Sequence, residues 1–232
     1  MQKAILGINC VDFKDSKAKQ RQGVAVDVLL ANKTDNFEVI DFCYPNEKPV
    51  TSFKNIFLRR NSKDEMGNQR PLPYIKEIMD SLAHLNSKED YVFGYMNSDI
   101  LLTKNFFNIF NTDKIMDAYI FSRKEITDVS NAKMFNDGRY NFVWGGDKHA
   151  GADAFFFKKS WWLKNSNCFS DNLILGETEW DTVYRHIIKH LTNKYLNLRE
   201  LLHVYHDAKW DINSIGGKNN IKIWEGVKCD FA

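Results

Sequence analysis

The sequence has little of what marks several classes of protein. Its 232 residues include only 4 cysteines and 4 prolines, too few for a small disulfide-stapled domain or a proline-rich chain. The cysteines are far apart and form no C-x-x-C pair, so we expect a reduced, cytoplasmic protein. No apolar run reaches the roughly 18 to 20 residues that cross a bilayer, and the start has no signal-peptide pattern. Peripheral association of the protein with the inner face of a membrane remains an alternative.

An excess of charge of one sign is also missing. The chain has 32 basic and 30 acidic residues, a formal net charge of +2, which gives no reason to expect a nucleic acid partner. Apolar and aromatic residues are plentiful, at 44% and 14%. A chain of this length and hydrophobic content buries one sizeable core, so we expect a single domain over residues 1–232.

Short apolar runs alternate with amphipathic stretches along the chain. The apolar runs predict strands at 3–9, 37–43, 91–96, 117–121, 151–157 and 198–205. Helical spacing is clearest at 75–82 and 179–191, and a weaker helix is expected between the first two strands. Residues 59–73 are polar and predict a loop, and the tail beyond 212 shows only a strand at 221–224. The alternation predicts an α/β fold, with a Rossmann-like, mostly parallel sheet flanked by helices.

A polar triplet, Asn97-Ser98-Asp99, directly follows the strand predicted at 91–96. Ligands of such sheets bind beyond the carboxyl ends of the strands, and a carboxylate there can hold a hard divalent cation through oxygen. Mg²⁺ or Mn²⁺ bound in this way keeps positions open for phosphate oxygens, so it can bridge the protein to a diphosphate. The alternative is a turn in which Asp99 caps the next segment.

The stretch YVFGYMNSDILL resembles the strand and D-x-D signature of nucleotide-sugar-dependent glycosyltransferases with the GT-A fold, with Asn97 in place of the first aspartate. The resemblance implies a single GT-A-like domain, in which 1–99 bind the nucleotide and 100–232 serve the acceptor and catalysis. It implies Asp99 as a ligand of Mn²⁺ or Mg²⁺. The residues that it implies at the nucleotide are Asn9, Asn97, Ser98 and Arg70, the last in a segment that loosely resembles G-x-x-x-A-R-N. A solvated loop arginine is the alternative for Arg70.

Two later segments extend the resemblance. Residues 151–157 are similar to a glycine-led strand that faces the sugar and acceptor, and they contain Asp153. Residues 175–181 resemble the acidic element at a helix start where an inverting transferase holds its general base. This implies Asp181 as the base, with Glu179 and Asp153 as alternatives. For Asp181 and Glu179 the alternative is favourable placement of acidic residues at a helix N-terminus, without catalysis.

The last third of the sequence contains three further candidate site residues, one histidine and two tryptophans. The resemblance implies His206, after a predicted strand, as a further metal ligand or diphosphate contact, while a structural histidine is the alternative. Trp180 and Trp210 are candidates to stack on a sugar face, or they are plain core aromatics.

The resemblance as a whole implies a metal-dependent glycosyltransferase of polysaccharide biosynthesis. Retention or inversion stays open, and a base at Asp181 would imply inversion. Its partners would be a donor of the UDP-, GDP- or dTDP-sugar type and a carbohydrate or glycolipid acceptor. One alternative is a sugar-phosphate nucleotidyltransferase, but Asn9-Cys10-Val11-Asp12 stands where such enzymes carry a glycine-rich basic loop. The other is a non-catalytic nucleotide- or carbohydrate-binding module.

Overall fold

The computed structural model describes residues 3–86, 89–102, 104–110, 115–126, 151–204 and 211–230. Within them eight strands form one sheet. They are β1 Ala4–Ile8, β2 Phe37–Cys43, β3 Lys54–Phe57, β4 Val92–Met96, β5 Ile100–Leu102, β6 Ala118–Ile126, β7 Ala154–Lys158 and β8 Tyr195–Val204. The helices are α1 Ser16–Asn32, α2 Ser62–Met66, α3 Ile75–Ala83, α4 Lys104–Asn108, α5 Lys159–Asn165, α6 Trp180–Leu191 and α7 Ile215–Asp230, with a 3₁₀ turn at Ser166–Cys168.

The strand order is β3-β2-β1-β4-β7-β6-β8-β5. The first four strands run parallel to one another, and β6 runs parallel to β8. The pairings β4–β7, β7–β6 and β8–β5 are antiparallel. The α/β fold with a mostly parallel sheet is thereby confirmed. Because β1 to β4 are parallel, the loops that follow them all lie at the same edge of the sheet.

Helices cover both faces of the sheet because successive strand residues point to opposite sides. Phe155 and Phe157 of β7 join the core that α3, α5 and α6 cover, while Phe156 joins the core on the other face, with α1 and the aromatic residues of α4. All three rings are fully buried. Burial on both faces explains why this strand reads as a continuous apolar run.

Gly94 brings β4 and β7 unusually close. A Cβ at this position would lie 2.1 Å from the carbonyl oxygen of Phe155 and 2.4 Å from Cγ of Phe156. Any larger residue would therefore push the two strands apart. The close approach helps to place the end of β4 beside the segment that leads into β7.

Two predictions about local structure are wrong. The polar segment 59–73 contains the short helix α2, which Asn61 caps by accepting a hydrogen bond from the Asp64 amide. The tail forms helix α7 instead of a strand at 221–224. Its buried residues are Gly216, Gly217, Asn220 and Val227, so small and polar residues make much of the contact and interrupt the apolar spacing that would indicate a helix. No helix in the described ranges is long and apolar enough to span a membrane.

Candidate active site

The triplet that follows β4 is held in place from two directions. The backbone amide of Asn97 donates to the carbonyl oxygen of Asp153 at 3.1 Å, and its side-chain amide donates to Asp153 Oδ1 at 3.1 Å. The Ser98 hydroxyl donates to Gln22 Oε1, in α1, at 3.0 Å. These bonds fix the turn between β4 and β5 against α1 and against residues 151–153, which precede β7 and which we call the lead-in to β7.

Asp99 lies against a histidine that sequence reasoning did not select. Its Oδ2 is 3.2 Å from His203 Nε2, and His203 Nδ1 is 2.7 Å from Glu125 Oε2. His203 is only 2% exposed and stands opposite Ile100 in the β5–β8 pairing. The predicted ligand His206 lies outside the described residues, as does Trp210.

Arg123 extends this contact into a chain of charges. Its Nε is 2.7 Å from Glu125 Oε1, and its Nη1 bonds Asp153 Oδ1. The order is therefore Asp153, Arg123, Glu125, His203 and Asp99, and we call these five residues the charge chain. Sequence reasoning missed Arg123 and Glu125, because the predicted strand ends at 121 and β6 continues beyond it.

Burial and charge act against each other along the charge chain. Burial raises the pKa of Asp153, which is 3% exposed, and Arg123 only partly offsets this. Burial alone would lower the pKa of His203, but the carboxylates of Asp99 and Glu125 outweigh it and raise that pKa. Burial alone would raise the pKa of Glu125, but His203 and Arg123 hold it below its usual value. The charged forms of His203 and Glu125 thus stabilise each other.

A cleft of about 330 Å³ opens beside the charge chain, between the end of β4, the lead-in to β7 and the start of α6. We call it the acidic cleft. The predicted site residues in its wall are Asn97, Asp153, Glu179, Trp180 and Asp181. Asp153 Oδ2 is buried without a hydrogen-bond partner in the described part of the chain. A buried carboxylate oxygen without a hydrogen bond is unfavourable, and the ion pair between Asp153 Oδ1 and Arg123 offsets part of this cost.

The two acidic residues at the start of α6 differ in what they contact. Asp181 Oδ2 accepts the backbone N–H of Ala152 at 2.8 Å, which ties α6 to the lead-in of β7. Glu179 makes no capping hydrogen bond although it is the N-cap residue. Its φ of 65° makes it, among described residues, the one non-glycine residue in the left-handed region. This conformation costs roughly 1–2 kcal/mol for a residue with a Cβ.

Trp180 is largely a core residue. Its ring packs edge-on against Tyr95 at 6.5 Å and Phe155 at 5.6 Å between centroids. Only a small part of it reaches the wall of the acidic cleft, so its stacking on a sugar stays a prediction.

Two predicted nucleotide contacts lie apart from the acidic cleft. Asn9, just beyond β1, donates from Nδ2 to the carbonyl oxygen of Phe42 at 2.6 Å, and so lies between the ends of β4 and β2. Arg70 is exposed and lines a separate cleft of about 300 Å³ with residues of the α7 start. Buried Glu177 lines both this cleft and the acidic cleft, and it accepts hydrogen bonds from Asn68 and Ser214.

A larger cleft, of about 760 Å³, lies where β2 and β3 end. Its wall includes Tyr44, Phe57, Arg59, Asn61 and Lys63, and we call it the β2–β3 cleft. Sequence reasoning did not select it, because its residues come from the turn after β2, from the unpredicted strand β3 and from the segment 59–73 that was predicted to be a loop.

Asp99 and His203 carry donor atoms of kinds that bind divalent cations, a carboxylate oxygen and an imidazole nitrogen. Oδ2 and Nε2 are 3.2 Å apart and form a hydrogen bond. Glu125 on Nδ1 is the carboxylate partner that metal-bound histidines commonly have. No group of three or more His, Cys, Asp or Glu side chains among the described residues is arranged to hold a metal. Two ligands suffice where phosphate and water complete the shell.

A scan against protein-family models found no match, and a search of curated proteins found none. Among solved structures, the chain is similar to a protein from Desulfovibrio desulfuricans G20 assigned as a nucleotide-diphospho-sugar transferase. The identity is 13% and the TM-score 0.50, with 100% of this chain and 99% of that chain covered. At this identity the likeness shows the fold, which is GT-A-like as the sequence resemblance implied.

Two further likenesses are weaker. One is to the inositol-1-phosphate CTP transferase from T. maritima, at 16% identity and a TM-score of 0.46, covering 97% of each chain. The other is to a glycosyltransferase involved in the glycosylation of the major capsid of PBCV-1, at 9% identity and a TM-score of 0.42, covering 87% of this chain and 93% of that chain. Both are too distant to bear on the reaction.

Proposed function

We propose that the protein is a metal-dependent glycosyltransferase that moves a sugar from a nucleotide-sugar donor to a hydroxyl of a carbohydrate or glycolipid acceptor. One observation carries the proposal: the charge chain joins Asp99, after β4, to Asp153 in the wall of the acidic cleft. Groups suited to a donor diphosphate and groups suited to an acceptor hydroxyl therefore belong to one network. Transfer between two substrates depends on holding them side by side in this way.

Asp99 and His203 are the residues that would hold Mn²⁺ or Mg²⁺, and the bound cation would neutralise charge on the departing nucleoside diphosphate. Glu125 orients the His203 ring through Nδ1, so that Nε2 is directed at Asp99. Arg123 holds Glu125 on one side and Asp153 on the other. It therefore positions the two carboxylates relative to each other.

The acceptor hydroxyl must lose its proton as it attacks the anomeric carbon, and a carboxylate within hydrogen-bond reach is the usual base. The acidic cleft offers Asp153, Glu179 and Asp181 for this step. Arg123 and Asn97 occupy Oδ1 of Asp153, and its Oδ2 is buried. By contrast, among the described residues only one oxygen of Asp181 is tied, to Ala152. Glu179 and the second oxygen of Asp181 are the groups best placed to take the proton, and direct attack assisted by either one inverts the anomeric centre.

The proposal is tested by incubating the protein with UDP-, GDP- and dTDP-sugars, with and without Mn²⁺, and measuring thermal shift and nucleotide release. The variants are Asp99→Ala and the control Asp35→Ala, an exposed carboxylate before β2 at the opposite edge of the sheet. A donor at about 100 times its Kd stabilises the native state by about 2.7 kcal/mol. We expect a Mn²⁺-dependent shift and turnover with one donor class, lost in Asp99→Ala and kept in Asp35→Ala. Undiminished turnover by Asp99→Ala would remove the metal assignment.

The same assay separates the alternatives. A sugar-phosphate nucleotidyltransferase would consume a nucleoside triphosphate with a sugar phosphate and release pyrophosphate. A binding module would show the thermal shift with no release of nucleotide, with or without an added acceptor.

A further inference from the structure

Gln22 is a buried polar residue that none of the roles described so far uses. It lies in the second turn of α1 and is 6% exposed, although glutamine side chains are mostly exposed. α1 packs against β5, where Ala25 and Val28 share a core cluster with Leu101. A buried side-chain amide needs hydrogen-bond partners, and those of Gln22 lie at the edge of the sheet where the candidate site opens.

The Gln22 amide joins two loops. Its Oε1 accepts the Val11 N–H at 3.0 Å and the Ser98 hydroxyl at 3.0 Å, and its Nε2 donates to the Val11 carbonyl oxygen at 2.9 Å. Val11 follows β1 and Ser98 follows β4. These strands are parallel neighbours, so their ends meet at one edge of the sheet. Gln22 therefore fixes the segment after β1 relative to the turn that contains Asp99.

This bonding pattern depends on the amide group of Gln22. Two of the three hydrogen bonds need an acceptor and the third needs a donor. An amide supplies both, whereas an ionised carboxylate has no donor and an aliphatic side chain has neither. The contact is therefore made by the amide group and not by the apolar part of the side chain.

Each residue of the triplet after β4 has a partner from a different part of the fold. Asn97 bonds the lead-in to β7, and Asp99 bonds His203 of β8. Ser98, between them, bonds Gln22 of α1. The Asp99 side chain is 28% exposed, so its position depends on the backbone of the turn more than on packing. Through Ser98, Gln22 holds that backbone from the α1 side.

We propose that Gln22 is a positioning residue for the cation site: it holds Ser98 and Val11, and through Ser98 it sets where the Asp99 carboxylate lies. The proposal rests on the proposed function, because it takes Asp99 to be a ligand of Mn²⁺ or Mg²⁺. Gln22 itself contacts neither the cation nor a substrate. Its loss should therefore weaken cation binding without removing a ligand.

Asn32 provides a matched control in the same helix. It is 7% exposed, and its Nδ2 donates to the carbonyl oxygen of Leu102, the last residue of β5, at 3.3 Å. Like Gln22, it is a buried amide of α1 that bonds a neighbouring segment. Its position near the end of α1 is about 15 Å from Gln22 along the helix axis. Asn32→Ala thus removes a buried hydrogen bond of the same kind at a distance from Asp99.

The test measures the Kd of Mn²⁺ from the electron paramagnetic resonance signal of the free ion, with and without pyrophosphate as a source of phosphate oxygens. The proteins are the wild type, Gln22→Ala, Ser98→Ala, the double variant, Asn32→Ala and Asp99→Ala. Loss of a group that orients a metal ligand costs about 10- to 100-fold in metal affinity. We expect binding about 10-fold weaker in Gln22→Ala and in Ser98→Ala, and no further loss in the double variant, because the two residues act through one bond. Asn32→Ala should keep the wild-type Kd.

Two further measurements separate positioning from stability. The Tm of the metal-free protein should fall in both Gln22→Ala and Asn32→Ala, since each loses a buried hydrogen bond, so the Mn²⁺ Kd is what distinguishes them. Ser98→Thr keeps the hydroxyl and should bind Mn²⁺ as the wild type does. If Gln22→Ala does not fold, the two Ser98 variants test the same bond.

Other results would overturn the assignment. Wild-type Mn²⁺ affinity in both Gln22→Ala and Ser98→Ala would show that the contact is only structural. Losses that multiply in the double variant would show that Gln22 does not act through Ser98. Failure of the proposed function looks different: Mn²⁺ would then bind to Asp99→Ala as it does to the wild type, or to neither protein, whatever the Gln22 variants show.

Discussion

The β2–β3 cleft and the acidic cleft open at the same edge of the sheet but are built from different side chains. The first has an exposed ring and an unsatisfied phenol, and no buried ion pair is present among its described residues. The second adjoins the charge chain, in which His203 and Arg123 alternate with three carboxylates. The turn after β4 stands between the two clefts.

The difference implies a division of tasks. Stacking and neutral hydrogen bonds hold a ligand tightly while stabilising its ground and transition states alike, which affects affinity but not the chemical step. Charged groups and proton acceptors stabilise the charge that develops in the transition state. Substitutions in the β2–β3 cleft are thus expected to leave kcat unchanged, whereas substitutions beside the charge chain should change kcat or the metal requirement.

The largest effect is expected from the carboxylates at the start of α6. General base catalysis contributes roughly 10²- to 10⁴-fold, so Glu179→Gln should lower kcat by about this factor and leave the donor Kd unchanged. Steady-state kinetics and calorimetry on the same protein measure both quantities. Asp181→Asn is the paired variant, and a larger fall in kcat there than in Glu179→Gln would make Asp181 the base.

Loss of the Glu125 carboxylate should have an intermediate effect. Glu125→Gln keeps the size of the side chain but weakens the contact to His203 Nδ1, and loss of such a partner costs about 10- to 100-fold in metal affinity. Titration of Mn²⁺ against activity measures the change. At saturating Mn²⁺ kcat should return towards the wild-type value, and a kcat that stays low would indicate a role in the chemical step.

The sequence predicted those parts of the site that depend on local pattern. The strand 91–96 and its polar ending are visible because a short apolar run stops at Asn97, and α6 is visible from its apolar stripe. His203 was not predicted as a partner of Asp99, because the contact depends on the register that pairs Ile100 with His203 across 103 positions of sequence.

Other features were hidden for different physical reasons. β6 continues beyond Phe121 through an irregularity in its pairing with β8, which carries Arg123 and Glu125 into the site. Tyr44 and Phe57 become neighbours only because β2 and β3 pair in parallel and end together at Cys43 and Phe57. Pairing between distant segments is not encoded in the periodicity of either one.

Stability should depend on pH through His203. The folded protein raises the pKa of His203 above its ordinary value, so its charged form contributes stability that is fully present below about pH 6.5. This contribution is lost as pH rises through the folded pKa. His203→Gln should therefore cost about 3 kcal/mol at pH 6, the scale for removing one partner of a buried ion pair, and less at pH 9. Urea denaturation of the metal-free proteins at both pH values measures this, and an equal cost at both would exclude a charged His203.

The smallest expected effect is a change in stability on replacing Glu179 by glycine. This substitution tests the backbone conformation of Glu179 separately from the role of its carboxylate. The two other residues described with positive φ are Gly67 and Gly176, so the chain uses glycine where only the backbone conformation matters. Glu179→Gly should relieve the strain and stabilise the fold by about 1 kcal/mol, a rise in Tm of roughly 2–4 °C, while transfer activity falls as far as in Glu179→Gln. Gly176→Ala, in the same loop, is the opposite control and should lower Tm. A Glu179→Gly protein that is less stable than the wild type would mean that the glutamate holds the start of α6 together, and the strain would then need no functional reason.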